Sequence, residues 1–204
     1  MSTLVDFYDN NAQSLYQNFS LSLQQVACNT TSSSQYSLAR NCNDCQNDYK
    51  TWLCAVTIPR CDDFSSSSPN LMPRNIAQQQ LNNTTVDLAA FGIQSNATKL
   101  PWFSRSRSLI IDQQIKPGPY RELLPCIDLC YEMVKSCPAV MGFGCPRQVA
   151  LMNKSYGIFD SGISPPSCNF LGRDTPTTNS SPRRIVPMMR LLIAMGVLHW
   201  ILVW

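Results

Sequence analysis

Residues 42–61, CNDCQNDYKTWLCAVTIPRC, and residues 124–146, LPCIDLCYEMVKSCPAVMGFGCP, hold eight of the ten cysteines of this 204-residue chain. In the first stretch Cys45, Tyr49, Trp52 and Val56 recur at steps of three and four, which predicts a helix over 43–56. It should stop before Ile58-Pro59, because a residue preceding proline is pushed out of the α region. In the second stretch Leu123, Ile127, Cys130, Val134 and Cys137 recur in the same way. Pro125 suits a first helical turn and Pro138 ends the run, so Cys126, Cys130 and Cys137 are expected along one buried side. Cys45 and Cys54 fall on opposite faces of their helix and should not bond to each other. Cys126 and Cys137 need partners from another element, since a disulfide demands a short separation.

Working outward, Leu4, Tyr8, Ala12, Leu15, Phe19, Leu23 and Val26 follow a helical period and predict an amphipathic helix over 4–26. Asp62 to Pro119 contains no cysteine but has Ser65-Ser66-Ser67-Ser68-Pro69 and many amides, and reads as a long loop insertion. Structureless loops much over about 15 residues are uncommon, so stretches such as 84–93 or 107–115 should hold short regular structure. Gly142-Phe143-Gly144-Cys145-Pro146 reads as a turn, 147–167 as irregular, and Cys168 closes the cysteine region. The expected organisation is therefore a cysteine-rich domain over 1–171 with its insertion at 62–119, then a polar stalk over 172–184 and a hydrophobic tail over 185–204. No internal repeat is present.

Composition narrows the class. Only 14% of residues are charged, against about 25% in ordinary globular proteins, while Ser, Thr and Asn make up 49 of the 204. Ten cysteines with such a surface indicate a disulfide-stapled protein of an oxidising compartment. The formal charge of +3 comes entirely from Arg183, Arg184 and Arg190, so the body is neutral and offers no basic face for nucleic acid. His199 is the one histidine, and it lies in the tail. That removes Ser/His, Cys/His and histidine-metal chemistry, and the acids Glu122, Asp128, Glu132 and Asp160 have no spacing that points to an acid pair. No enzymatic activity, catalytic residue, metal or cofactor is expected. Cys42-x2-Cys45 has zinc-knuckle spacing but lacks a second close pair.

The two ends disagree. Met188 to Trp204 is an apolar run that reaches the C-terminus. As a membrane helix it is short of the roughly 20 residues a bilayer asks for, and its arginines would lie on the wrong side. Small residues at Asn179-Ser180-Ser181, a short spacer and an apolar tail also fit the order of a glycosylphosphatidylinositol signal, with Asn179 or Ser180 as attachment point. Arg183-Arg184 is in addition a possible dibasic cleavage site. The N-terminus has no signal-peptide pattern, which suggests a longer secreted precursor. Asn-x-Ser/Thr sequons at Asn18, Asn29, Asn82, Asn83, Asn96 and Asn153 are candidate glycosylation sites.

The order Cys28, Cys42, Cys45-x8-Cys54-x6-Cys61, Cys126-x3-Cys130-x6-Cys137, Cys145, Cys168 resembles the Frizzled-type cysteine-rich domain. Within that class, CNDCQNDYKTWLCAVTIPRCDDF and LPCIDLCYEMVKSCPAVMGFGCP resemble the cysteine-rich region of the fungal Mid-type stretch-activated calcium channel subunit, over roughly residues 4–168. The resemblance implies a mainly α, small disulfide-stapled helical domain with a long loop insertion. It also implies the bridges Cys28–Cys61, Cys42–Cys54, Cys45–Cys137, Cys126–Cys168 and Cys130–Cys145. In function it implies an auxiliary subunit on the extracellular face of the plasma membrane, anchored at its C-terminus. Its partner would be the pore-forming subunit of a voltage-gated-type calcium channel, whose calcium influx it promotes. The gap between Cys42 and Cys45 and that between Cys61 and Cys126 depart from Frizzled proportions. The alternative is a Frizzled-like ligand- or lipid-binding cell-surface module, and a third class is a structural glycoprotein.

Other residues read more plainly. Asp44, Asp48, Asp62 and Asp63 lack the alternating loop that gives calcium its six to eight oxygens, and fit a solvated helix face. Tyr49 and Trp52 share the Cys45 stripe and fit core packing. Trp102 and Phe103, two large aromatics in the polar insertion with no evident core to fill, are candidate partner-binding residues.

Overall fold

The computed structural model describes residues 2–27, 36–37, 39–66, 68–80, 84–162 and 166–170. Cys28, the stalk, the tail, Asn29, Asn82, Asn83, Asn179 and Ser180 lie outside the described residues. Among these residues five helices, α1 (Ser2–Gln24), α2 (Cys42–Thr57), α3 (Pro101–Ser104), α4 (Ile127–Ser136) and α5 (Val149–Ser155), accompany three short strands, β1 (Arg60–Asp62), β2 (Leu71–Arg74) and β3 (Tyr120–Leu123). The domain is mainly α, as its periodicity and the resemblance imply.

Local sequence explains the best-formed helix. Asn41 caps α2: its side-chain oxygen accepts from the backbone N–H of Asn43 and Asp44 at 2.8 and 3.0 Å, while Asn41 N–H donates to Asp44 Oδ2 at 2.9 Å. This reciprocal box satisfies donors that a bare helix end leaves open. At the other end Ile58, extended before Pro59, stops the helix. Asp44 is therefore a capping residue, and Asp48 accepts the hydroxyl of Ser136 on α4.

Three helices make the core. Phe19 and Leu23 of α1, Cys45, Tyr49 and Leu53 of α2, and Ile127, Cys130 and Met133 of α4, with Cys137 just beyond α4, form one buried cluster. The Phe19 and Tyr49 rings stack with centroids 3.6 Å apart. Trp52 is half-buried at the edge, and its indole N–H donates to the Tyr156 hydroxyl at 3.0 Å. Tyr49 and Trp52 are packing residues, as their stripe suggests.

The covalent frame follows. Cys45–Cys137 joins α2 to the end of α4, Cys126–Cys168 joins the start of α4 to the last described segment, and Cys130–Cys145 holds the turn after α4. All three coincide with pairings implied by the resemblance. The other two do not form. Cys42 is disulfide-bonded, but Cys54 and Cys61 are free thiols. Cys42 and Cys54 both sit on α2, so about 18 Å of helix separates them, far beyond the roughly 7 Å Cα limit of a disulfide. Cys61, in β1, keeps a free thiol, so the Cys28–Cys61 pairing is absent too.

The sheet is what periodicity did not show. Its order is β1-β3-β2, both pairings antiparallel, with Cys61 opposite Glu122 and Arg74 opposite Tyr120. The insertion thus leaves through β1 and returns through β3, its two ends side by side. Inside it are short turns at Ala89–Phe91, Ser95–Lys99 and Ile111–Ile115 besides α3, within or beside the stretches expected to be regular. Two boundaries differ from expectation. Leu123 belongs to β3, so α4 begins at Ile127, and 147–167 contains α5. Gly157 lies against the frame: a Cβ there would meet Cys168 Cβ at 2.7 Å, so only glycine lets the two backbones approach.

Candidate functional site

The insertion has no cysteine, and a buried charge cluster holds it instead. Glu122 points from β3 into the interior with no exposed surface. Arg74 of β2 donates through Nε to Glu122 Oε1, and Arg107 donates through Nε to both carboxylate oxygens at 3.1 and 3.0 Å. Each guanidinium then grips a backbone carbonyl elsewhere: Arg74 Nη1 takes Trp102, and Arg107 Nη1 takes Val56 on α2 at 2.9 Å. One carboxylate therefore ties β2, β3, the α3 turn and the helical core together. Charge-assisted bonds of this kind are roughly twice as strong as neutral ones. Breaking one member leaves an uncompensated buried charge.

This cluster positions the two aromatics singled out in the sequence. Trp102 and Phe103 are brought together on α3, ring centroids 6.4 Å apart and edge to face. Trp102 remains 38% exposed. Phe103 is half-buried, and Lys154 of α5 places its ammonium 5.0 Å from the ring centroid. The backbone of the turn is fixed by Arg74 while the Trp102 ring meets solvent, the arrangement of a rigid anchor. Sequence alone identified the rings but not the grip, because Arg74 and Glu122 are 48 residues apart.

A separate apolar cleft of about 350 Å³ opens between the N-terminal half of α1 and the root of the insertion, with Leu4, Tyr8, Ile58, Ile111, Pro117 and Tyr120 in its wall. The Tyr120 hydroxyl is buried there without a hydrogen-bond partner. Burial raises the pKa of Tyr8 and Tyr120 above the usual phenol range; nearby Cys61 adds to the first and Glu122 to the second. The thiol of Cys61, an exposed residue that also contributes to this wall, is pushed up to about 12 by burial and by Glu122. No periodicity or motif signalled this cleft, since its walls come from four separate stretches.

Other candidate residues are placed as follows. Asn18, Asn96 and Asn153 are exposed. Asp62 and Asp63 lie at the exposed exit of β1, where Asp63 accepts from Ser65. Glu132 pairs with Arg40 at 3.2 Å and with Lys135 at 3.5 Å. Among the described residues no group of three His, Cys, Asp or Glu could hold a metal ion, and no helix is long and apolar enough to cross a membrane.

Residues 1–174 match the Mid1 family, described as stretch-activated Ca2+-permeable channel component. The chain belongs to that family. It is 39% identical over 171 residues to the stretch-activated cation channel yam8 of Schizosaccharomyces pombe, an alignment covering 84% of this chain and 29% of that protein. It is 32% identical over 173 residues to the stretch-activated cation channel MID1 of Saccharomyces cerevisiae, covering 82% of this chain and 26% of the relative. The chain thus spans less than a third of the length of these Mid1 relatives. No solved structure matches it.

Proposed function

We propose that this chain is the cysteine-rich part of an extracellular auxiliary subunit that docks on the pore-forming subunit of a voltage-gated-type calcium channel and promotes calcium influx. The observation that carries this reading is the family match over residues 1–174. The mechanism is binding energy: a rigid module that contacts one channel state more favourably shifts the channel toward that state. The helical frame supplies rigidity, and the Trp102 turn, clamped by Arg74, supplies an exposed aromatic anchor of the kind that dominates interface energetics. The polar segment 172–184 and the apolar tail 185–204 would hold the domain at the plasma membrane, with Asn179 or Ser180 as the lipid attachment point.

The decisive experiment is detergent co-purification from the native membrane. Recovery of a calcium-channel pore subunit that falls when Trp102 is replaced by Ala, with secretion unchanged, supports the reading. Reproducible recovery of the folded protein without any channel overturns it. Calcium uptake after gene deletion separates this function from a purely structural glycoprotein. Phospholipase release from membranes tests the lipid anchor, and protein that stays bound while retaining Trp204 contradicts it. A second reading, a ligand-binding module, is supported by the apolar cleft with its unpaired Tyr120 hydroxyl. Co-purification of a stoichiometric lipid, lost on Tyr120→Phe, would favour it.

A further inference from the structure

Two open grooves besides the cleft expose apolar side chains. The first, about 590 Å³, runs between α1 and the turn after α4, with Leu15, Phe19, Val26, Met141 and Phe143 in its lining. Val140, also in its lining, is 81% exposed. The second, about 560 Å³, lies between the insertion and α5, lined by Leu71, Phe103, Tyr156 and Ile158. Exposed apolar surface of this kind, in a water-facing protein, calls for a cover or a partner.

Each of these two grooves has a sequon asparagine in its own lining. Asn18 of Asn18-Phe19-Ser20 lines the first and Asn153 of Asn153-Lys154-Ser155 lines the second. Both asparagines are exposed. In both sequons the middle residue is fastened to an aromatic ring of the groove: Phe19 stacks on Tyr49 at 3.6 Å, and Lys154 sits 5.0 Å over Phe103. The acceptor is therefore held at the groove edge by its neighbour. Asn96, the third exposed sequon among the described residues, lines neither groove, and the apolar cleft at Tyr8 and Tyr120 has no acceptor in its wall.

We propose that N-linked glycans on Asn18 and Asn153 lie over these two grooves and cover them, leaving the cleft walled by Tyr8, Ile58 and Tyr120 as an apolar concavity open to other molecules. A glycan is bulky and strongly solvated, and the apolar faces of its first sugars can rest on Phe143 in one groove and Phe103 or Tyr156 in the other. The Phe103 side of the aromatic turn is then a carbohydrate-covered face, and the Trp102 side is the one left for a protein partner. The inference rests on the extracellular reading above, but not on the channel.

The test uses the secreted, folded protein. Peptide-N-glycosidase treatment in heavy-oxygen water followed by peptide mass spectrometry reads occupancy at Asn18, Asn96 and Asn153. Fluorescence of bis-ANS, a dye that reports exposed apolar surface, is compared before and after treatment, with no refolding step. High occupancy at Asn18 and Asn153, with a several-fold rise in dye signal on deglycosylation, is the expected result. Asn18→Gln and Asn153→Gln should each give part of the rise, and Asn96→Gln none. Occupied sites with no change in dye binding would overturn the covering role, as would an Asn18 or Asn153 left bare while Asn96 is modified. Absence of glycan at all three sites would instead sink the extracellular reading on which the inference stands.

Discussion

The helical half and the insertion face one difficulty, a polar chain with little to bury, and meet it with different chemistry. Around α1, α2 and α4 the contacts are apolar and locked by the disulfides Cys45–Cys137, Cys126–Cys168 and Cys130–Cys145. Over 62–119 there is no cysteine, and one buried carboxylate between two guanidiniums takes the place of the covalent link. A disulfide acts largely by restricting the unfolded chain, whereas an ion cluster acts only when all its members are in place. The two regions should therefore fail differently.

The largest effect is expected from the covalent side. Replacing Cys45 and Cys137 together by Ser releases residues 92 apart in sequence and should lower unfolding free energy by about 4–5 kcal/mol. In urea melts the whole domain should lose its transition midpoint at once. A drop confined to the insertion would show that α2 and α4 do not need the link. Next, Glu122→Gln leaves Arg74 and Arg107 without a buried counter-charge and should cost about 3–5 kcal/mol. Here hydrogen exchange should rise first across 71–74, 101–107 and 120–123, with α2 and α4 still protected. Uniform exchange would mean the two regions are one cooperative unit.

A smaller change sharpens the contrast from inside the helical half. Asn41→Ala removes the side-chain acceptor of the capping box on α2, leaving the backbone N–H bond to Asp44 in place, and should cost about 1 kcal/mol, read as a modest midpoint shift with no change at the insertion. The smallest effect at neutral pH concerns the root of the insertion. Tyr8, Cys61 and Tyr120 all have raised pKa values, so the folded state holds their protons more tightly than the unfolded chain. Their contribution is complete below the ordinary thiol and phenol range of about 8.5–10 and is lost as pH climbs through the raised values, about 12 for Cys61. Stability should fall from about pH 9 upward. Iodoacetamide should modify Cys61 slowly at pH 8, and fast modification there would contradict its raised pKa.

Sequence reading succeeded where structure is local. The period of Leu4 to Val26, the stripe through Cys45 and Tyr49, and the stop at Ile58-Pro59 are decided within a few residues, and α1 and α2 follow them. It failed where distant residues decide. Leu71–Arg74 has no clean alternation and carries Pro73, tolerated because β2 is an edge strand. Val149–Ser155 is too short for a period to stand out. The pairing transferred from Frizzled-type domains broke at Cys54, since a helix through both Cys42 and Cys54 forbids their bond. Of the candidate site, the Trp102 and Phe103 rings were legible as aromatics in a polar stretch. The Arg74–Glu122–Arg107 clamp was not, because charged residues in sequence look alike whether buried or solvated.

The adjacency of β1 and β3 has a consequence for how this domain tolerates change. Because the insertion starts and ends at neighbouring strands, its contour length is disconnected from the geometry of the helices. Lengthening a flexible loop costs little entropy, about 0.6 kcal/mol for each doubling. Residues added after Thr84, outside the stretches that Arg74 and Arg107 grip, should leave the cysteine frame unaltered. The root of the insertion is thus a socket into which surface segments of different size and sequence can be fitted without redesigning what carries them.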